Sequence, residues 1–224
     1  MSNGKLVVLE GIDGSGKSTN YKLLCQRLDE MGKDYHKIVF PRYDQESSAL
    51  IRMYLSGQFG AKPEDVNAYT ASTFFSVDRF ASFKSDWEPL YREGKLILAD
   101  RYTTSNAVHQ GAKMNRDELP DFFDWLYDLE FQKMKLPKPD LVIYLDVDIE
   151  TSISRMRKRE RQTNTKADIH EKDVDYLNRC IETARYACEH LGWVKIPCRN
   201  QDGTERTIEE IHEDVFQHVK QKVL

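Results

Sequence analysis

Short apolar runs recur along the chain between longer stretches of helical periodicity. They are Leu6-Val7-Val8-Leu9, Lys37-Ile38-Val39-Phe40, Lys95-Leu96-Ile97-Leu98-Ala99 and Leu141-Val142-Ile143-Tyr144-Leu145, with Gly192-Trp193-Val194-Lys195-Ile196 a weaker fifth. Continuous rather than alternating apolar sequence is what a strand covered on both faces requires. Asn20 to Met31 reads as a helix with Leu23, Leu24 and Leu28 on one face and Gly32 as its stop. Pro63 to Arg92 is a long helical stretch expected to bend or break. Asp117 to Met134 is helical and rich in aromatics, which suits either the core or a subunit interface. Thr207-Ile208-Glu209-Glu210 fits a capping box opening a last helix. Five strands alternating with helices predict an α/β fold: one five-stranded parallel sheet with helices on both faces. No repeat or linker divides residues 1–224, so a single domain is expected.

Ligands of such sheets gather where the strands end, and the chemistry-bearing residues cluster there. After the first run comes Gly11-Ile12-Asp13-Gly14-Ser15-Gly16-Lys17-Ser18-Thr19, which fits the phosphate-loop pattern G-x-x-x-x-G-K-[ST]. Strand, glycine loop and helix is the order this chemistry needs. Glycines let successive N–H groups turn inward around a polyphosphate, and the helix start adds partial positive charge. Lys17 is placed to reach the terminal phosphates and Ser18 to bind Mg²⁺. After the second run stands Phe40-Pro41-Arg42-Tyr43, after the third Asp100-Arg101-Tyr102, and after the fourth Asp146-Val147-Asp148. Arginines there suit phosphate oxygens, and Asp100 is placed like the acid that supports Mg²⁺ in phosphate-loop proteins. Phe75 and Arg79 share a helix face; periodicity alone favours a core Phe beside an Arg whose stem is buried. Arg155-Met156-Arg157-Lys158-Arg159-Glu160-Arg161 is either a solvated face or a basic lid over transferring phosphoryl groups, spanning about 155–167.

Composition narrows the classes. The formal net charge of −4 provides no global basic field for a nucleic acid polymer. No apolar run approaches a membrane span, and Met1 to Lys5 enters the first strand without a leader-like segment. Cys25, Cys180, Cys188 and Cys198 lack metal-ligand spacing and fit a reduced, cytoplasmic setting. The guanine-reading N-K-x-D is absent, which argues against a switch GTPase, and the length suits a small kinase.

Taken together, the motifs resemble those of the thymidylate kinases over nearly the whole chain. They are Glu10 to Thr19, Phe40-Pro41-Arg42-Tyr43, Phe75 through Arg79 as F-x-x-x-R, Asp100-Arg101-Tyr102 with Ser105-Asn106, and Leu136-Pro137-Lys138-Pro139-Asp140-Leu141 leading to Leu145-Asp146-Val147. The resemblance implies a nucleoside monophosphate kinase-like fold, a homodimer, Mg²⁺ as cofactor, and ATP and dTMP as substrates. It implies that Phe75 stacks on thymine, Arg79 bonds the base edge and Leu55 packs against it. Phe40, Arg42, Tyr43 and Arg101 belong to the acceptor site, Asn106 and Gln110 add polar contacts, and Asp13 holds the sugar hydroxyl near the metal. His109 stands where relatives often carry an aromatic, so its part in sugar selection is open. Some relatives place an arginine in the phosphate loop; here Gly14 stands there and the later segment is arginine-rich, the bacterial-type arrangement. Arg155 and Arg159, four apart, are the lid candidates. His170-Glu171 resembles the family's aromatic-Glu pair, and Arg199-Asn200 is a candidate border of the adenine site. The alternatives are another nucleoside monophosphate or deoxynucleoside kinase, or a non-catalytic nucleotide-binding module.

Overall fold

In the computed structural model, which describes residues 4–163, 169–170 and 173–224, the five runs form one parallel sheet. The strands are β1 Lys5–Glu10, β2 Tyr35–Val39, β3 Leu96–Asp100, β4 Leu141–Asp146 and β5 Val194–Pro197, in the order β2-β3-β1-β4-β5. Central β1 pairs with β3 on one side and β4 on the other, with Leu9 opposite Asp100 and Ile143. Leu6, Val7, Val8 and Leu9 are fully buried, as an apolar strand between two helical layers must be. Asp140 ties the sheet's far edge together: its carboxylate accepts from the Leu6 N–H at 2.9 Å and from Lys5 Nζ at 2.8 Å.

The helices are α1 Lys17–Glu30, α2 Ala49–Leu55, α3 Ala68–Ser82, α4 Glu88–Arg92, α5 Thr103–His109, α6 Leu119–Tyr127, α7 Ile149–Thr163, α8 Val174–Leu191 and α9 Ile208–Val223. The long stretch from Pro63 is indeed broken. Pro63–Asp65 is a separate 3-10 turn, α3 starts behind an Asn67 cap, and a π-turn over Phe83–Trp87 precedes α4 with Pro89 in its first turn. The aromatic stretch after Asp117 likewise ends in a π-turn over Asp128–Lys133. Its Phe122, Phe123 and Leu126 are core, while Trp125 lies at the surface of that core against Tyr69. The Thr207–Glu210 capping box is present. All four cysteines are buried and unpaired. No helix among the described residues is long and apolar enough to cross a membrane.

Candidate active site

The loop between β1 and α1 is shaped by two positive-φ glycines. Gly16, at φ 85°, turns the chain into α1 without any side-chain cap, and the helix has no acid in its first turn. Its first N–H groups are therefore available to an anion. Gly14, at φ 76°, lies against α7: a Cβ there would stand 2.5 Å from the Ser152 carbonyl oxygen. Ser152 Oγ donates to the Asp13 carbonyl at 2.6 Å, and Arg155 Nη1 to the Gly14 carbonyl at 3.3 Å. The start of α7 is thus packed on the loop backbone, leaving no room for a side chain at position 14. Ile12 points into the core and Ser15 is buried with no partner for its hydroxyl among the described residues, whereas Ser18 and Thr19 are exposed. Lys17 folds back to pair with the Asp100 carboxylate at the end of β3; both side chains are about one-tenth exposed.

Arg101, next along, adopts φ 67°, a left-handed conformation that costs a non-glycine residue of order 1–3 kcal/mol. The turn sends its guanidinium back over β1. Nη2 donates to Asp13 Oδ1 at 3.1 Å, while Nη1 faces Glu10 Oε1 at 3.3 Å, Ser105 Oγ at 3.3 Å and His109 Nε2 at 3.0 Å. Glu10, the last residue of β1, heads the motif that runs to Thr19, but the sequence assigned it no role of its own. It is fully buried and also accepts from the Gly11 N–H, Thr104 and Ser105. The signal was available: an acid inside an apolar run is unusual unless paired. Burial opposes the ionisation of Asp13, but Arg101, His109, Lys17 and Arg159 outweigh it and hold the carboxyl at about 2. Burial, then the Arg101 charge, push His109 down to about 3, so its ring is neutral.

A cleft of about 500 Å³ runs from this cluster between the sheet and α3. Phe40, Tyr43, Leu55 and Phe75 give it apolar walls, and Arg79, Asn106, His109, Gln110 and His170 add polar groups. Asp13, Lys17, Asp100, Arg101 and Arg159 line its phosphate-loop end. The Gln110 Oε1 atom is buried with no partner among the described residues, so it is open to a ligand. Arg79 is fully buried rather than free at the surface. Nε donates to Glu130 at 2.8 Å and Nη2 pairs with the same carboxylate, while Nη1 makes only a 3.4 Å contact to the Tyr102 carbonyl. Glu130, the second acid missed, also accepts from Ser76 and Thr103.

Two of the expected site residues stand apart from the cleft lining. Arg42 does not line the cleft: Asp78 takes its Nε at 3.2 Å and its N–H at 2.9 Å, and Nη2 donates to Ser47. Arg155 does not reach the cleft either. Between the Gly14 carbonyl and Glu205 it buttresses the loop, and Arg159, one turn on, lines the cleft. Arg199 is held by Asp148 and Thr151 beside the start of α7. Glu171 and the end of the expected lid lie outside the described residues.

Asp13, Asp100 and Ser18 offer hard oxygen donors, the kind Mg²⁺ prefers. No group of three or more His, Cys, Asp or Glu side chains able to cage a metal occurs among the described residues. This donor set fits an ion held mainly by nucleotide phosphates.

An uncapped helix start facing a cleft of arginines and aspartates is the mark of the phosphate-loop nucleotide-binding proteins. The sequence model of the thymidylate kinase family matches residues 9–215, and the chain belongs to that family. It is 31% identical to thymidylate kinase of Mycobacterium tuberculosis over 141 residues, covering 62% of this chain and 64% of that protein. That match spans just under two thirds of the relative. Others are longer: 29% identity to the human thymidylate kinase over 95% of this chain and 88% of that protein, and 28% to a probable thymidylate kinase of Pyrococcus abyssi over 99% and 98%. The solved thymidylate kinase structure from Candida albicans superposes with a TM-score of 0.69 at 20% identity, covering 99% of this chain and 93% of that one.

Glu130→Ala leaves the buried Arg79 charge unpaired and is expected to destabilise the fold by about 3–5 kcal/mol, read as a lowered denaturation midpoint. Arg79→Ala would strand Glu130 in the same way, so its effect is not confined to recognition. The histidines set an acid limit. His109 and His170 are held neutral by burial, so the unfolded chain binds protons that the folded one refuses as pH falls below about 6.5. Stability is complete above that pH and declines on the way down toward about 3. Each buried histidine steepens the decline by at most about 1.4 kcal/mol per pH unit, and urea titrations from pH 7 to 4 should show it.

Proposed function

We propose that the protein transfers the γ-phosphoryl group of ATP to dTMP, giving dTDP and ADP, as a single catalytic domain. The observation that carries this reading is the continuity of the cleft. One cavity joins the phosphate loop to an apolar-walled chamber of nucleoside size, with Arg101 and Arg159 at the junction. ATP would lay its phosphates on the uncapped start of α1, beside Lys17. The base of dTMP would enter between Phe75 and Leu55, with Arg79 Nη1, Asn106 and Gln110 Oε1 around its polar edge. Its phosphate would then lie at Arg101, facing the γ-phosphate.

The acceptor is already an anion, because a phosphate monoester has its second pKa near 6. No general base is needed, and the protein's task is to bring two anions into line and offset their repulsion. Lys17, Arg101 and Arg159, all on the cleft, would do this. Mg²⁺ supported by Asp100, Ser18 and Asp13 would supply further charge neutralisation on the phosphate oxygens. A deoxynucleoside kinase needs a carboxylate base to take a hydroxyl proton. Asp13, held at about 2 by its cationic neighbours, is a poor base.

Tyr69, Val77 and Phe80 form an exposed apolar row along α3 beside Trp125, so the expected protein partner is a second copy. Sedimentation should give a dimer mass, and Val77→Lys with Phe80→Lys should shift it to the monomer. Four reduced, buried thiols suit a cytoplasmic location.

ADP release should be measured with Mg²⁺-ATP and a panel of nucleoside monophosphates and free nucleosides. Activity centred on dTMP supports the assignment, activity on thymidine alone overturns it, and silence favours a binding module. Lys17→Ala should lower turnover by on the order of 10³-fold or more with the fold retained.

A further inference from the structure

The buried polar groups behind the cleft have hydrogen-bond directions that chemistry alone fixes. A guanidinium only donates, so in the 3.0 Å contact between Arg101 Nη1 and His109 Nε2 the imidazole nitrogen must accept. His109 is neutral at that nitrogen, and its proton sits on Nδ1, which faces the Cys180 thiol sulfur at 3.6 Å. One layer back, Lys113 Nζ donates to Tyr54 Oη at 2.8 Å, and that hydroxyl lies 2.9 Å from His170 Nε2 and 3.3 Å from the Pro63 carbonyl. The two imidazoles stack nearly parallel, 9° apart with centroids at 5.6 Å, and both are buried. The Tyr176 hydroxyl pins the His109 carbonyl at 2.6 Å. His109 is thus fixed by α8 on one side and by His170 on the other.

We propose that His109 is a positioning residue for Arg101. Its unprotonated Nε2 is the one imidazole acceptor in the set that orients the guanidinium, and it does so without adding negative charge. The other acceptors are Glu10, Asp13 and Ser105. An aromatic hydrocarbon at position 109 could fill the space and stack on His170, but it offers no lone pair to Arg101. This role rests on the phosphotransfer reading, because Arg101 is taken to meet the acceptor phosphate.

The test compares His109→Phe, which keeps a flat ring, with His109→Gln, whose amide oxygen reaches about the place of Nε2. With the wild-type protein turning over dTMP, His109→Phe should lower kcat roughly 10–100-fold, the scale of losing a group that aligns a catalytic one. KM for ATP should be unchanged, and His109→Gln should recover most of the loss. A wild-type kcat for His109→Phe overturns the proposal. So does a loss that the glutamine fails to recover while both variants unfold at the wild-type midpoint. Nitrogen NMR of the wild-type imidazole provides a readout independent of turnover: Nδ1 protonated and Nε2 bare is expected, and the reverse tautomer refutes the role. Silence of the wild-type protein on dTMP would instead sink the phosphotransfer reading, leaving the tautomer measurement to judge His109 alone.

Discussion

Everything at the strand ends depends on keeping the largely buried Arg101 guanidinium in one place. A buried charge is tolerated only where it is paired and hydrogen-bonded. Here Glu10 at the end of the central strand and Asp13 in the phosphate loop provide the pairing, and Ser105 and His109 on α5 complete the shell. Those partners come from three different segments. The same contacts that satisfy the arginine therefore hold β1, the loop and α5 in register, and the left-handed backbone at Arg101 is the strain this arrangement accepts.

The loop itself is fixed from the other side. The start of α7 presses its backbone on Gly14, and Ser152 and Arg155 donate to the loop's carbonyl oxygens. With these loop carbonyls taken up by α7, the uncapped start of α1 is left to meet a phosphate. The missing side chain at position 14 and the arginine-rich helix are thus two aspects of one packing contact. A loop arginine would displace α7, while α7 in place puts Arg159 on the cleft.

How much of this the sequence disclosed follows from the range of the forces involved. The strands, the loop and the capping box at Thr207 are local patterns, and each element lies within a few residues of where periodicity placed it. Phe40, Tyr43, Leu55, Phe75, Arg79, Asn106, His109 and Gln110 all line the same cleft. What stayed hidden is the pairing of charges across long separations. Glu130 lies 51 residues from Arg79, and Asp78 lies 36 from Arg42. No local signal tells which arginine a given acid will hold, so neither pair could be read from the sequence. The π-turns at Phe83–Trp87 and Asp128–Lys133 were also illegible in position, because they accommodate packing between distant helices.

The charge pattern of the cleft shows why a neutral acceptor matters. Four cations, Lys17, Arg79, Arg101 and Arg159, line it against two carboxylates, Asp13 and Asp100. Glu10 and Glu130 stand directly behind, each against an arginine. With these four acids the site is close to neutral, which is what allows so many charges to share a small buried volume. Yet an arginine fully neutralised by carboxylates would have little field left for an incoming phosphate. Arg101 already answers to two carboxylates, and a third acid at position 109 would hold it as firmly while cancelling more of its charge. Serine and neutral histidine fix the geometry through lone pairs alone, so the guanidinium is oriented but not spent, and its attraction for the acceptor phosphate survives the packing that places it.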